Sequence, residues 1–252
     1  MFKKYFIIVV VSAVMGTLVY ARTSLSPGER QDLIEEVESV ILAVTSSAPV
    51  ATSTTAITKK IEQPVPFTSQ APLAQWKDRQ FQDGCEEASA LMAVAWARGA
   101  KLGGPDSVTA DILKMIAFET NSPSGYSPDV SANDTAEIIK NYFNYSNVSV
   151  RENVTSDDLI SELHNGHVII TPVNGRLLNN PNFTAPGPLY HMLVIIGYNP
   201  ATKEFITNDP GTRNGAKYRY PVSTFMAALR DYPSGHHEEI EENIKRIIVV
   251  SK

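Results

Sequence analysis

Cys85 is the only cysteine of the chain, and its neighbours give the thiol a chemical setting. Gly84 precedes it. A run with Ala88, Leu91, Met92, Ala95 and Trp96 at helical spacing follows it. The sulfur therefore stands at a predicted helix N-terminus, where unpaired N–H groups and the macrodipole favour a thiolate. Gly84 leaves room for a substrate backbone. A sulfur nucleophile needs a base, and the base needs an orienting group. His191 opens an apolar run, His191-Met-Leu-Val-Ile-Ile-Gly197, and Asp209 follows the next strand candidate, Glu204–Asn208. If those strands form a hairpin, His191 and Asp209 fall at the same end of a sheet. The carboxylate can then accept from one ring nitrogen and leave the other for sulfur. Gln70 follows an extended segment. Its amide can donate to the oxyanion formed on an attacked carbonyl, with the Cys85 N–H as second donor. Together these groups suit acyl transfer from a peptide or amide through a thioester. Taken singly, each has an ordinary reading: a small buried hydrophobe, a satisfied core histidine, a turn former and a polar loop residue.

The elements that must position these groups are legible in the pattern. Val65–Ser69 has strand character, and Pro66 confines it to an edge. Helices are predicted over Cys85–Arg98, Thr109–Glu119, Asp134–Phe143 and Ser156–His164, the last with Thr155 and Asp158 at capping-box spacing. Strands dominate afterwards: His167–Val173, Tyr190–Tyr198, Glu204–Asn208 and Lys217–Tyr220, with Asp209-Pro-Gly211 as a turn. Val222–Arg230 reads as a helix and Arg246–Val250 as a closing strand. Helices first and antiparallel-style strands afterwards argue for an α+β fold. The polar loop from Asn174 to Pro188, just before His191, is expected to wall a cleft, with Trp76 and Tyr190 lining it.

Four segments carry a resemblance. Val65-Pro-Phe-Thr-Ser-Gln-Ala-Pro72, Asp83-Gly-Cys-Glu-Glu-Ala-Ser89, Tyr190-His-Met-Leu-Val-Ile-Ile-Gly-Tyr198 and Phe205-Ile-Thr-Asn-Asp-Pro-Gly-Thr212 resemble the cysteine peptidases that cleave bacteriocin leaders. The likeness is nearer to the stand-alone, secreted members and covers roughly Gln63 to Val250. It implies a papain-like fold, with N-terminal helices packed on an antiparallel sheet. It also implies roles: Gln70 as oxyanion donor, Cys85 as nucleophile, His191 as general base and then acid, and Asp209 as orienter. One departure is local. Many relatives place Gly-Pro after the nucleophile, whereas Glu86 and Glu87 stand here. Acids suit the first turn of a helix, but beside sulfur they oppose a thiolate. Both are therefore expected to point away from it, or one to meet a cationic group on the substrate. No attached transporter is expected, and with that leader cleavage after a double glycine is not expected to carry over.

The remaining signals set context. Lys3 and Lys4 precede an uncharged, mostly apolar run over Tyr5–Tyr20, and Val19-Tyr20-Ala21 offers a cleavage site. Residues 1–21 thus read as an export signal or a retained membrane anchor. Residues 22–62 read as a helix over Pro27–Val44 and a linker rich in Ser, Thr, Ala and Pro, and 63–252 as the papain-like domain. The net charge of −5 over 252 residues offers no basic surface for nucleic acid. One cysteine allows no disulfide within the chain and no Cys-rich zinc site. His236-His237-Glu238-Glu239 lacks the second histidine of a His-Glu-x-x-His site. The expected partner is a peptide or protein substrate, with no metal and no organic cofactor; the sequence leaves the oligomeric state open. Two rival readings keep the fold. One turns the same site to cell-wall peptides or to acyl transfer onto an amine. The other is a catalytically silent surface binding module, with 22–62 as its stalk.

Overall fold

The computed structural model describes Gly28 and residues 59–122, 125–240 and 243–252. The expected export signal over 1–21, the helix over Pro27–Val44 and the linker over Thr45–Thr58 lie outside the described residues, Gly28 apart.

A short helix, α1 (Arg79–Gln82), is capped by the Asp78 side chain and leads through Gly84 into α2 (Cys85–Ala97). From Cys85 to Trp96 every residue of α2 is buried. The apolar face read from the spacing is only part of the buried surface, because the helix is covered on both sides. Ala88 and Leu91 pack on Val108, Ile112 and Ile116 of α3 (Pro105–Thr120), while Met92, Val94 and Trp96 join the sheet's core. A helix that is apolar on all faces belongs inside. Pro105 takes the first position of α3, where its fixed φ suits a helix start, and this begins the helix a turn earlier than Thr109. Next come α4 (Ala132–Tyr142), capped by Ser131, and α5 (Ser156–His164), with the Thr155–Asp158 capping box formed.

Among the described residues the strands are β1 (Ile61–Glu62), β2 (Val148–Glu152), β3 (Val168–Val173), β4 (His191–Asn199), β5 (Glu204–Asn208), β6 (Tyr218–Pro221) and β7 (Arg246–Val250). Their order is β2-β7-β3-β4-β5-β6, with β1 also paired to β4, and every pairing is antiparallel. Strand alternation divides the core. Val168, Ile170, Met192, Val194, Ile248 and Val250 face α2 and α4. Ile169, Leu193, Ile195, Ile247 and Val249 face α5 and α6 (Val222–Ala228), meeting Leu159, Leu163 and Phe225. The architecture is therefore α+β and papain-like, with helices packed on an antiparallel sheet.

Two strand assignments differ from the sequence reading. Val65–Ser69 is not a strand; pairing occurs just before it, at Ile61–Glu62. Pro64 and Pro66 lack the N–H that a ladder needs. The segment is instead held by the Asn208 side-chain amide, which donates to the Val65 and Pro66 carbonyls at 3.1 and 3.3 Å. Strand β2 is not announced by the sequence: among the described residues it pairs with β7 alone, and its charged Arg151 and Glu152 break the apolar alternation.

Candidate active site

Cys85 is the first residue of α2 and is buried. The Met192 main chain approaches its sulfur on the side that favours the thiolate, and the Ser89 hydroxyl donates to the Met192 carbonyl at 3.3 Å. The start of α2 is thus stitched to the strand residue next to His191. Gly84 has a packing role besides the one read from sequence. A Cβ there would lie 2.9 Å from the Gln80 carbonyl oxygen, so the close approach it permits is to its own chain.

His191 opens β4, and the β4–β5 hairpin pairs Val194 with Asn208. That register carries Asp209 to the end of the sheet where His191 lies. His191 Nε2 meets Asp209 Oδ1 at 2.8 Å, which leaves Nδ1 for a partner on the other side of the ring. Asp209 is fully buried and accepts from three further donors. These are the Tyr220 hydroxyl at 2.6 Å, the Gly211 N–H at 3.0 Å and the Asn180 amide at 3.5 Å. Burial pushes this carboxyl up. The His191 charge and hydrogen bond, the Tyr220 hydroxyl and the Gly211 N–H outweigh that, and hold it below its usual value. Phe183 packs edge-on against the imidazole, with centroids 5.4 Å apart. A Cβ on Gly211 would sit 2.8 Å from His191 Cε1, so a side chain at 211 is incompatible with this ring position.

Gln70 is tied to the same loop, its N–H donating to the Pro210 carbonyl at 2.9 Å. Its side-chain amide donates to the Phe81 and Gln82 carbonyls at 3.1 and 2.5 Å, and its Oε1 is buried without a partner. Gln70, Cys85 and His191 line one cavity of about 370 Å³. Trp76 and Tyr190 line it too, as do Asn182, Phe183, Thr184 and Pro188 of the long loop. Among the described residues Arg213 is the only lysine or arginine on its wall. Two larger hollows, of about 620 and 600 Å³, lie away from these residues. The smaller cavity is the candidate site because a thiol, an imidazole and a carboxamide converge on it.

The family model described as the Peptidase_C39 like family matches residues 62–236. The chain belongs to this family. A C39-like peptidase candidate from Bacillus anthracis has a similar structure, with a TM-score of 0.50 at 17% identity, over 77% of this chain and 98% of that one. The peptidase domain of Streptococcus ComA, a bi-functional ABC transporter of a quorum-sensing pathway, gives a TM-score of 0.39 at 15% identity, over 68% and 93%. No curated protein matches the sequence. The family supports a cysteine-peptidase-like function for this C39-like chain.

One of the two acids after Cys85 departs from expectation. Glu86 does not point away from sulfur: Cys85 Sγ donates to its Oε2 at 3.0 Å. Its Oε1 accepts from the Tyr232 hydroxyl at 2.7 Å and the Val130 N–H at 3.3 Å. Burial raises this carboxyl to about 7, against the pull of the Cys85 and Tyr232 hydrogen bonds. Burial likewise drives the Cys85 thiol well above its usual value, Glu86 adds to the rise, and the Met192 main chain opposes it. Glu87 is influenced most by Glu119 of α3 after burial itself, and it also rises well above its usual range. Burial, then the Glu86 charge, takes Glu119 to about 8. Buried oxygens of Glu87 and Glu119 have no hydrogen-bond partner.

Sequence reasoning missed Tyr220, Asn180 and the Glu86–Tyr232 pair. Tyr220 was legible as a strand residue. Its place beside Asp209 depends on the β5–β6 register, in which Phe205 pairs with Tyr220.

Proposed function

We propose that this C39-like chain is a cysteine peptidase that cleaves a peptide or amide bond through a thioester on Cys85. His191 Nδ1 takes the thiol proton as sulfur attacks the carbonyl carbon and the carbonyl π pair moves to oxygen. The Cys85 N–H, one of the unpaired donors of a helix start, and the Gln70 amide hold that oxyanion. Gln70 must give up a loop carbonyl to do so. The imidazolium then protonates the leaving amine as the C–N bond breaks. Water attacks the thioester with His191 again as base, which releases a carboxylate and restores the thiol. Asp209 keeps Nε2 protonated and steadies the charged ring, as the third member of such sites does.

The observation that carries this reading is the His191–Asp209 pair at 2.8 Å. His191 lines the same cavity as the helix-start thiol of Cys85. Export through residues 1–21, with cleavage or retention as an anchor, belongs to the same proposal and is supported by Lys3, Lys4 and the apolar run after them. The test is incubation of the full chain with a peptide library and mass spectrometry of new termini. Free carboxyl and amino ends are expected with the wild type and not with His191→Ala. Undiminished cleavage by that variant would overturn the mechanism. Products capped by an added amine would indicate acyl transfer instead.

A further inference from the structure

Glu86 is a carboxyl the proposed reaction does not use, yet it is in direct contact with the reacting sulfur. An acid placed at a helix start only for the dipole would face water. This one is 2% exposed and is enclosed by donors from three parts of the chain. Cys85 Sγ lies 3.0 Å from Oε2, and the Tyr232 hydroxyl and Val130 N–H bond Oε1 at 2.7 and 3.3 Å. Tyr232 is itself buried and directs its hydroxyl to this carboxylate. A charge in that position works against the thiolate that the helix N-terminus and the Met192 main chain would otherwise favour.

We propose that Glu86 is the resting-state hydrogen-bond acceptor of the Cys85 thiol, holding the nucleophile as an oriented neutral thiol until a bound substrate draws the sulfur to its carbonyl and the proton to His191. The inference rests on Cys85 being the nucleophile. At attack the S–H bond breaks, its proton goes to His191 Nδ1, and the sulfur electron pair forms the C–S bond. Glu86 neither gains nor loses a proton in that step. The free protein is therefore slow towards small electrophiles, and the thiol is armed by occupancy of the cleft.

The other charged and titratable groups around the pair are few. Glu87 shares the helix but lies towards Glu119, and Asp83 precedes it. Asp129 approaches from the loop before α4 and is bonded to His237 at 2.8 Å. Tyr232 comes from the segment after α6, and His191 from β4. Among the described residues no lysine or arginine is paired with Glu86.

The test is the pH dependence of Cys85 alkylation by iodoacetamide in the full chain. Glu86→Gln keeps an acceptor for Tyr232 and Val130 but removes the charge. It should lower the apparent thiol pKa by one unit or more and raise the rate at pH 7 by about tenfold. Glu86→Asp retains the charge and should stay slow. Tyr232→Phe strips a donor from Glu86, favours its protonated form, and should accelerate alkylation severalfold by a separate route. Should Glu86→Gln fail to fold, Tyr232→Phe carries the test. Unchanged or slower alkylation in the folded Gln and Phe variants overturns the inference. Peptide cleavage measured alongside separates the two claims. Cleavage that needs Cys85, with an alkylation profile indifferent to Glu86, would remove this inference alone. An alkylation shift in a chain that cleaves nothing would leave Glu86 as the group that restrains the thiol but overturn both the peptidase reading and the release of that restraint by substrate.

Discussion

Replacing Glu119 by Gln isolates the energetics of the buried acids under α2. The Glu119 carboxyl moves from 4.5 to about 8, first through burial and then through the Glu86 charge. Its folded-state value is therefore raised above the unfolded one. Below pH 4.5 both states hold the proton and the group is neutral to stability. Between 4.5 and about 8 the unfolded chain has released a proton that the folded chain keeps, so each pH unit weakens folding by about 1.4 kcal/mol. The ceiling is roughly 5 kcal/mol, and relaxation with water entry around a buried charge reduces it to about 2 kcal/mol. For a domain of this size that is a melting-point difference of about 5 °C. The assay is thermal unfolding of wild type and Glu119→Gln from pH 4.5 to 9. The Tm advantage of the variant should be close to zero at pH 4.5, grow steadily, and level off above pH 8. A constant offset at every pH, or a variant less stable at pH 8, would refute the reasoning.

Tyr220→Phe removes the hydroxyl that donates to Asp209 at 2.6 Å. It should lower kcat/KM about tenfold, the loss of about 1.4 kcal/mol of charge-assisted bonding. The Asp209 carboxyl should rise with it, moving the acid limb of the pH profile upward, and an unmoved profile would contradict its assignment to Asp209. Gly211→Ala places a Cβ 2.8 Å from the imidazole. Displacing a catalytic group by such a contact should cut kcat by about 100-fold with little change in Tm, and full activity would contradict the ring position described.

What sequence could and could not show follows physical lines. A helix starting at Cys85 was readable from the apolar run after Gly84, and the β4–β5 hairpin from two strand patterns around a short turn. Helix α5 was announced by a local device, the Thr155–Asp158 capping box. All three depend on interactions close along the chain. The burial of Glu86 does not. It arises because α3 and the Val130 and Tyr232 segments close over α2, and acids at a helix start usually face solvent. Tyr220 reaches Asp209 only through strand register, and β1 displaced the predicted Val65–Ser69 strand because two prolines remove ladder donors. The Gln70 amide is likewise engaged with the Phe81 and Gln82 carbonyls, which depends on how α1 folds back.

The central claim is that one sulfur, assembled with groups from distant strands, does the chemistry. Its most direct measurement is peptide-bond cleavage by Cys85→Ala against the wild type, with matching thermal melts as proof of an intact fold. The new termini made by the wild type should be wholly absent from the variant. Cleavage of the same bonds at a comparable rate by the folded Cys85→Ala chain would contradict it.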